Sequence, residues 1–278
     1  MKKLLILLLI IILIVVIFRK EIEYFEGKDK NGVPEFVFNM DKVYTKLYDI
    51  TFNEKKVFNF DVKKILPTFD KSSKILDAGT GTGKYYEYFF KKYNITGIDA
   101  SNEMLKLAQT RVPLGTFIQG NLINDGLFKN KEFTHILCLL DTLYHNRYVE
   151  QALILKNFYY WLKDGGYLFI HVFNKKKLIP APRNYSKLYV DKHKNLHSYT
   201  ELDDFSHDAF YIHKKDHVVY KERYKMNKNG NIRFQLTKLY IPDNSNKTIA
   251  QILEVGFRLV NRYNNKNDED MELLVFKK

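Results

Sequence analysis

The chain has one cysteine, Cys138, and no dense block of Lys and Arg beyond Lys175-Lys176-Lys177. A lone cysteine excludes an internal disulfide, and nothing in cysteine usage points to an oxidising compartment. Cys138 lies inside an apolar run, where a small buried side chain is its expected role. Acidic residues are the scarcer charge, 32 against 45 Lys and Arg, which leaves a net charge of +13. The lysines are spread over the whole length beside abundant Asn, Ile, Phe and Tyr. Such an excess attracts RNA, DNA or anionic lipid without specificity, so charge alone names no partner. Global disorder is excluded, because 45% hydrophobic residues with 21 Phe and 20 Tyr supply a core. A length of 278 residues fits one domain of about 240 residues plus an N-terminal appendage.

That appendage is the run Leu4 to Phe18, uninterrupted apolar residues flanked by Lys2, Lys3 and by Arg19, Lys20. As a helix it spans about 22 Å, short of a hydrocarbon core of ~30 Å, a gap that snorkelling cations or local bilayer thinning closes. A secretory signal is the rival, but no small-x-small cleavage site follows. Residues 1–20 therefore read as an uncleaved single-pass anchor and residues 21–36, with Gly27, Gly32 and Pro34, as a tether. Arg19, Lys20, Lys28 and Lys30 slightly outweigh Lys2, Lys3 and the N-terminal amine, which sets the globular part on the cytosolic side. The N-x-S/T sequons at Asn94, Asn184 and Asn246 read as chance products of an Asn-rich composition.

The most informative stretch is Lys74-Ile-Leu-Asp-Ala-Gly-Thr-Gly-Thr-Gly83. An apolar run ending in Asp77 reads as a buried parallel strand. Gly79, Gly81 and Gly83 then make a tight turn that lets backbone approach a ligand, and Lys84 to Lys92 reads as a helix. Asp99 ends the next short apolar run, where a doubly wound fold places a carboxylate against ribose hydroxyls. Lys84 stands where the dinucleotide motif needs its third glycine. A carboxylate at Asp77 also suits an amino group better than a pyrophosphate. A nucleoside with an amino-acid tail, S-adenosylmethionine, fits these features.

With these residues the chain resembles the class I S-adenosylmethionine-dependent methyltransferases. The match runs through Asp77, Gly79, Gly81 and Gly83, the acidic strand end in Gly97-Ile98-Asp99, the strand Phe133 to Leu140, and the turn Leu162-Lys-Asp-Gly-Gly166. It covers roughly residues 40–175 well and 246–278 loosely. The implied fold is α/β: a three-layer, doubly wound, seven-stranded and mostly parallel sheet. A small antiparallel β cap, residues 174–245, is inserted after strand 5 of a domain running from 37 to 278. The last strand is expected antiparallel between strands 5 and 6.

The resemblance also implies roles. Asp77, Thr80 and the Gly79–Gly83 loop lie near the methionine part of the cofactor, Asp99 takes the ribose, and Ala100 and Met104 flank the adenine. Asn121, beside Leu122, stands where the family usually presents an acid to the adenine amino group, and an amide oxygen still accepts that bond. Carbonyls near Cys138 and Leu139 lie by the sulfonium. Tyr44 and Tyr48, one helical turn apart, either close over the cofactor carboxylate or pack as core aromatics.

The acceptor side is expected from Asp141, Thr142, Tyr144 and His145, with His145 as candidate general base. The alternative is a histidine with no proton to move. Asp141-Thr-Leu-Tyr144 is not the D/N-P-P-Y/F signature of enzymes that methylate exocyclic base amines, and mid-strand Cys138 argues against attack on a pyrimidine. The pairs His193/His197 and His213/His217 have metal-ligand spacing on a helix, but their strand- or loop-like surroundings make surface histidines the better reading, and no metal is expected. From Asp208 to Ile241 the pattern alternates as strands do around Asn229-Gly230, a hairpin signal, while 174–204 reads as loop. Aromatics Tyr211, Tyr220, Tyr224 and Phe234 of that cap are expected to reach the acceptor pocket on alternate positions. Three functions stay open: transfer of a methyl group to O or N of a small-molecule or lipid-like acceptor, modification of RNA or protein, or a non-catalytic cofactor-binding adaptor. Oligomeric state is not encoded in these patterns.

Overall fold

Apolar runs alternating with helix-period segments build a seven-stranded sheet from β1 (Lys74–Ala78), β2 (Asn94–Asp99), β3 (Thr116–Gln119), β4 (Phe133–Cys138), β5 (Leu162–Phe173) and two C-terminal strands, Arg258–Asn264 and Met271–Lys277. The computed structural model describes residues 41–52, 55–181, 187–264 and 270–278. The anchor expected at 1–20 and the tether at 21–36 lie outside the described residues. Among the described residues no helix is long and apolar enough to cross a membrane.

Between Phe173 and Arg258 the chain forms a second sheet. Its strands are β6 (Lys187–Val190), β7 (Leu196–Glu201), β8 (Phe205–His213), β9 (Val218–Met226) and β10 (Ile232–Leu239), antiparallel in the order 10-9-8-7-6. With β11 (Arg258–Asn264) and β12 (Met271–Lys277), the large sheet has the order 11-12-5-4-1-2-3. β1 pairs in parallel with β2 (Asp77 opposite Gly97) and with β4 (Asp77 opposite Leu137). β12 runs antiparallel between β5 and β11. The strand order reverses beside β1, and open α/β sheets bind ligands at the carboxyl ends of the strands next to such a point.

Helices α1 (Lys42–Thr51), α2 (Lys55–Ile65), α3 (Lys84–Phe90), α4 (Asn102–Arg111), α5 (Tyr148–Trp161) and α6 (Ser245–Glu254) cover the sheets. Ser101 caps α4 by accepting from the Met104 N–H, and Asp41 caps α1 by accepting from Val43 and Tyr44. One face of the large sheet packs on Ile154, Leu155, Phe158 and Trp161 of α5 and on Ile249 and Ile252 of α6. The other packs on Val62 and Ile65 of α2 and on Tyr86 and Phe89 of α3. Side chains of this size contribute about 1.5–3 kcal/mol each when fully buried. A separate cluster of Tyr44, Leu47, Phe205 and Tyr224 docks α1 on the small sheet.

Two elements differ from the sequence reading. β6 and β7 occupy a stretch expected as loop, because β7 is carried by polar residues (His197, Ser198 and Thr200 are buried) whose place is decided by pairing with β8. α2 has no counterpart in the sequence reading. Its buried stripe is Val57, Asp61, Val62 and Ile65, so a carboxylate sits among the apolar positions and blurs the period. The hairpin between β9 and β10 does form. Asn227 to Asn231 make a five-residue connection with Gly230 at φ +68.

Candidate functional site

The turn after β1 is tied down by backbone: the Gly79 and Thr80 N–H groups both donate to the Ile98 carbonyl, at 2.8 and 2.9 Å. Gly79 has φ +75, and a Cβ there would collide with the Thr142 side chain. Glycine is required on both counts, conformation and space. Gly83, at φ +79, starts α3, and a Cβ on it would press on Ala108 of α4 at 3.0 Å.

Asp99 stands at the end of β2. Its carboxylate accepts from the Gly81 N–H at 2.9 Å and from the Ser101 N–H at 2.8 Å. Burial pushes the Asp99 carboxyl above its ordinary pKa, while the Ser101 and Gly81 N–H groups oppose that shift. A carboxylate has about four acceptor sites, so two bonds leave it capacity for a ligand.

These groups open into a cavity of about 600 Å³. Gly79, Gly81, Asp99, Ala100, Met104, Asn121 and Leu122 line one part. Phe173, Tyr211, Tyr220, Thr237, Leu239 and Ile241 line another, so both sheets contribute walls. Tyr44, Tyr48 and Phe52 come from α1, and Leu140, Asp141, Thr142 and His145 from the end of β4 and the short helix after it. Among the described residues no lysine or arginine lines the cavity.

His145 Nε2 lies 3.4 Å from Asp141 Oδ2. Burial pulls the imidazole pKa down, but Asp141, and less strongly Asp99, outweigh burial and hold it above the ordinary value. The Asp141 carboxylate thus favours the protonated imidazole, which makes the pair a candidate for moving a proton.

α1 is latched at two places. Asp49 accepts from Thr82 Oγ1 at 2.6 Å and from Arg111 Nη2 at 2.7 Å, next to the glycine turn. Tyr44 donates to the buried Glu222 Oε2 at 2.7 Å across to β9. Glu222 Oε1 also accepts from Tyr224 at 2.7 Å and lies 3.2 Å from His207 Nε2. Of the two roles considered for it, Tyr44 packs as a core aromatic, and it also lines the cavity.

Five residues expected at the site do not line the cavity. Asp77 is buried under the turn, where Thr80 Oγ1 donates to it at 2.7 Å, so both side chains face each other. Burial raises the Asp77 carboxyl to about 7, against the Thr80 bond. Gly83 serves helix packing. Leu139 points into the core on the α2 side, because strand side chains alternate and Leu140 takes the cavity face. Tyr144 is fully buried as a strut: its hydroxyl accepts from the Phe173 N–H at 3.2 Å and is 3.4 Å from Thr248 Oγ1. Burial also drives its pKa upward, away from any proton transfer at neutral pH.

Of the cap aromatics, Tyr211 and Tyr220 line the cavity, and Tyr224 and Phe234 do not. Tyr224 turns to Tyr44 and Phe205 in the α1 cluster. His197 is a buried residue rather than a surface one, held between Asp191 at 3.2 Å and Asp208 at 2.9 Å. Among the described residues no group of three or more His, Cys, Asp or Glu could hold a metal ion. Thr142 lines the cavity as expected, while Phe52, Asn146, Ala181, Thr237, Leu239, Ile241 and Met271 do so without a sequence signal, since each reads locally as ordinary helix, loop or strand.

Residues 75–166 match the model of a methyltransferase domain. No curated protein matches the chain. Its fold is similar to an S-adenosylmethionine-dependent methyltransferase from Clostridium acetobutylicum, with TM-score 0.65 at 16% identity over 84% of this chain and 96% of that one. An amino pentose methyltransferase of calicheamicin biosynthesis from Micromonospora echinaspora, solved with S-adenosylmethionine bound, has TM-score 0.60 at 16% identity over 82% and 91%. A sugar N-methyltransferase from Streptoalloteichus has TM-score 0.60 at 14% identity over 85% and 92%. Residues 75–166 thus match a methyltransferase domain, and the chain around them has the class I methyltransferase fold.

Proposed function

We propose that the protein uses S-adenosylmethionine to methylate O or N of a small acceptor with an apolar body. The observation that carries this reading is the single cavity. One part offers an anchored carboxylate and a glycine turn, the other an apolar and aromatic wall, and among the described residues no lysine or arginine lines either. The residues present suit the cofactor. Asp99 keeps free acceptor capacity for ribose hydroxyls, Asn121 can accept from the adenine amino group, and Ala100, Met104 and Leu122 offer an apolar slot for the ring. Gly79 and Gly81 leave room for the amino-acid end. When bound, S-adenosylmethionine supplies a methyl group on a sulfonium, an electrophile open to in-line displacement.

The protein then has to position, exclude water and manage one proton. Tyr48 and Phe52 on one side, and Tyr211 and Tyr220 on the other, wall the cavity from solvent. His145 accepts the acceptor proton, and Asp141 beside it stabilises the resulting imidazolium. A polyanion such as RNA would meet Asp99, Glu103 and Asp141 here with no lysine or arginine among the described lining residues, which weighs against that alternative despite the net charge of +13. The amino pentose and sugar N-methyltransferases among the similar folds support a small acceptor.

Asp99→Ala tests the cofactor assignment. The loss of a charge-assisted partner for buried hydroxyls should weaken S-adenosylmethionine binding about 10- to 150-fold. Unchanged affinity by calorimetry in a folded variant would remove the assignment. The apolar run 4–18 supports placing this activity at a membrane, with the domain in the cytosol. Full-length protein should resist carbonate extraction, and its release would remove the anchor.

A further inference from the structure

We infer that His171 and Asp61 form a positioning pair that fixes the backbone at the end of β4 and thereby shapes the proposed cofactor site. The inference rests on the function proposed above for that cavity. Neither residue lines the cavity, and both side chains are 1% exposed. His171 stands in β5 and Asp61 in α2, 110 residues apart in sequence.

The chain of contacts is continuous. Tyr85 of α3 donates its hydroxyl to Asp61 Oδ2. Asp61 Oδ1 lies 3.1 Å from His171 Nε2. His171 Nδ1 lies 2.8 Å from the backbone nitrogen of Leu140. A backbone N–H can only donate, so Nδ1 is the acceptor and the ring proton sits on Nε2, directed at Asp61. An imidazolium, or the opposite tautomer, would set two donors against each other at Leu140. Asp61 therefore selects the tautomer that His171 needs.

What this holds is unusual. Leu140 has φ +53, a left-handed conformation that a branched residue adopts only at a cost. Leu140 lines the cavity itself. The two residues that follow are Asp141, partner of His145, and Thr142, whose side chain fills the space above Gly79. Release of the Leu140 N–H would let this turn relax toward a commoner conformation and shift all three groups. Packing alone does not call for a histidine here, because its strand neighbours Ile170 and Val172 are buried hydrophobics.

The test uses the full chain and S-adenosylmethionine. Nitrogen-15 NMR of the natural protein should report His171 as the neutral Nε2–H tautomer. In Asp61→Asn the amide can donate to Nε2, so the Nδ1–H tautomer should appear and the dissociation constant for S-adenosylmethionine should rise about tenfold or more. His171→Leu should lose affinity to the same degree with the bulk retained. His171→Asn, whose Oδ1 can replace Nδ1 as acceptor, should recover most of it. An Nδ1–H or charged His171 in the natural protein would overturn the inference, as would a His171→Asn protein no better than His171→Leu. The tautomer is read without any ligand, so it is independent of the functional proposal. Failure of the natural protein to bind S-adenosylmethionine would strike that proposal instead.

Discussion

Glu222→Ala should lower the thermal unfolding midpoint by about 6–20 °C. Glu222 is fully enclosed, and its two oxygens accept from Tyr44 and Tyr224 and face His207. Truncation leaves two buried hydroxyls and a buried imidazole without their shared partner, and loss of one member of a buried charged network costs about 3–5 kcal/mol. At roughly 2–4 °C per kcal/mol for a chain of this size, that gives the expected range. Burial, together with Glu222, holds both tyrosine pKa values well above normal, so neither hydroxyl ionises to relieve the loss. The effect should also reach the cavity, because Tyr44 belongs to α1, which contributes Tyr48 and Phe52 to its wall. Glu222→Gln keeps an acceptor oxygen and should lose less. A midpoint that does not move in Glu222→Ala, measured by circular dichroism, would show that packing rather than this network docks α1.

The second large effect belongs to His145 and Asp141. His145→Ala should reduce kcat about 10²- to 10⁴-fold, the usual range for loss of a positioned general base. The affinity for S-adenosylmethionine should change far less. Asp141→Asn should act in the same direction and also shift the pH profile. The base form of His145 is the neutral one, so the rate should rise with pH through its pKa, which lies above the ordinary histidine value because Asp141 and Asp99 overcome the effect of burial. Removing the Asp141 charge lowers that pKa and moves the rising limb to lower pH. An acceptor that arrives already neutral would leave His145→Ala at full rate, and that result would assign the pair to acceptor binding alone.

The pair at the β4 end was legible in sequence because it follows a recognisable strand. Tyr144, its neighbour, was not separable from it. Three polar-tipped residues, Asp141, Tyr144 and His145, in one five-residue turn give no local sign of which faces the cavity. The short helix Thr142–His145 turns Tyr144 inward, toward Thr248 of α6 and the Phe173 N–H, and leaves Asp141 and His145 outward. Asp77 is a similar case. Its place beside the glycine turn is plain in the sequence, but the inward-facing side of β1 and the Thr80 hydroxyl direct it under the turn. β6 and β7 escaped notice because β6 is only four exposed residues and β7 is largely polar, and a strand held by an adjacent strand needs little apolar periodicity of its own.

The sequence by itself determined the strand, glycine turn, helix and Asp99 unit, the alternation that forces a parallel sheet, and the hairpin at Asn229-Gly230. Each of these is decided within about 25 residues, by backbone conformations open to glycine and by the periods of helix and strand. Only the tertiary structure decided which residues form the acceptor wall, that Glu222 meets Tyr44 across 178 residues, and that His171 meets Asp61 across 110. The reason is that periodicity marks a buried face without naming what covers it. A buried polar group must find its partner through space, and the partner carries no local signature until the two sheets and α1 close around it.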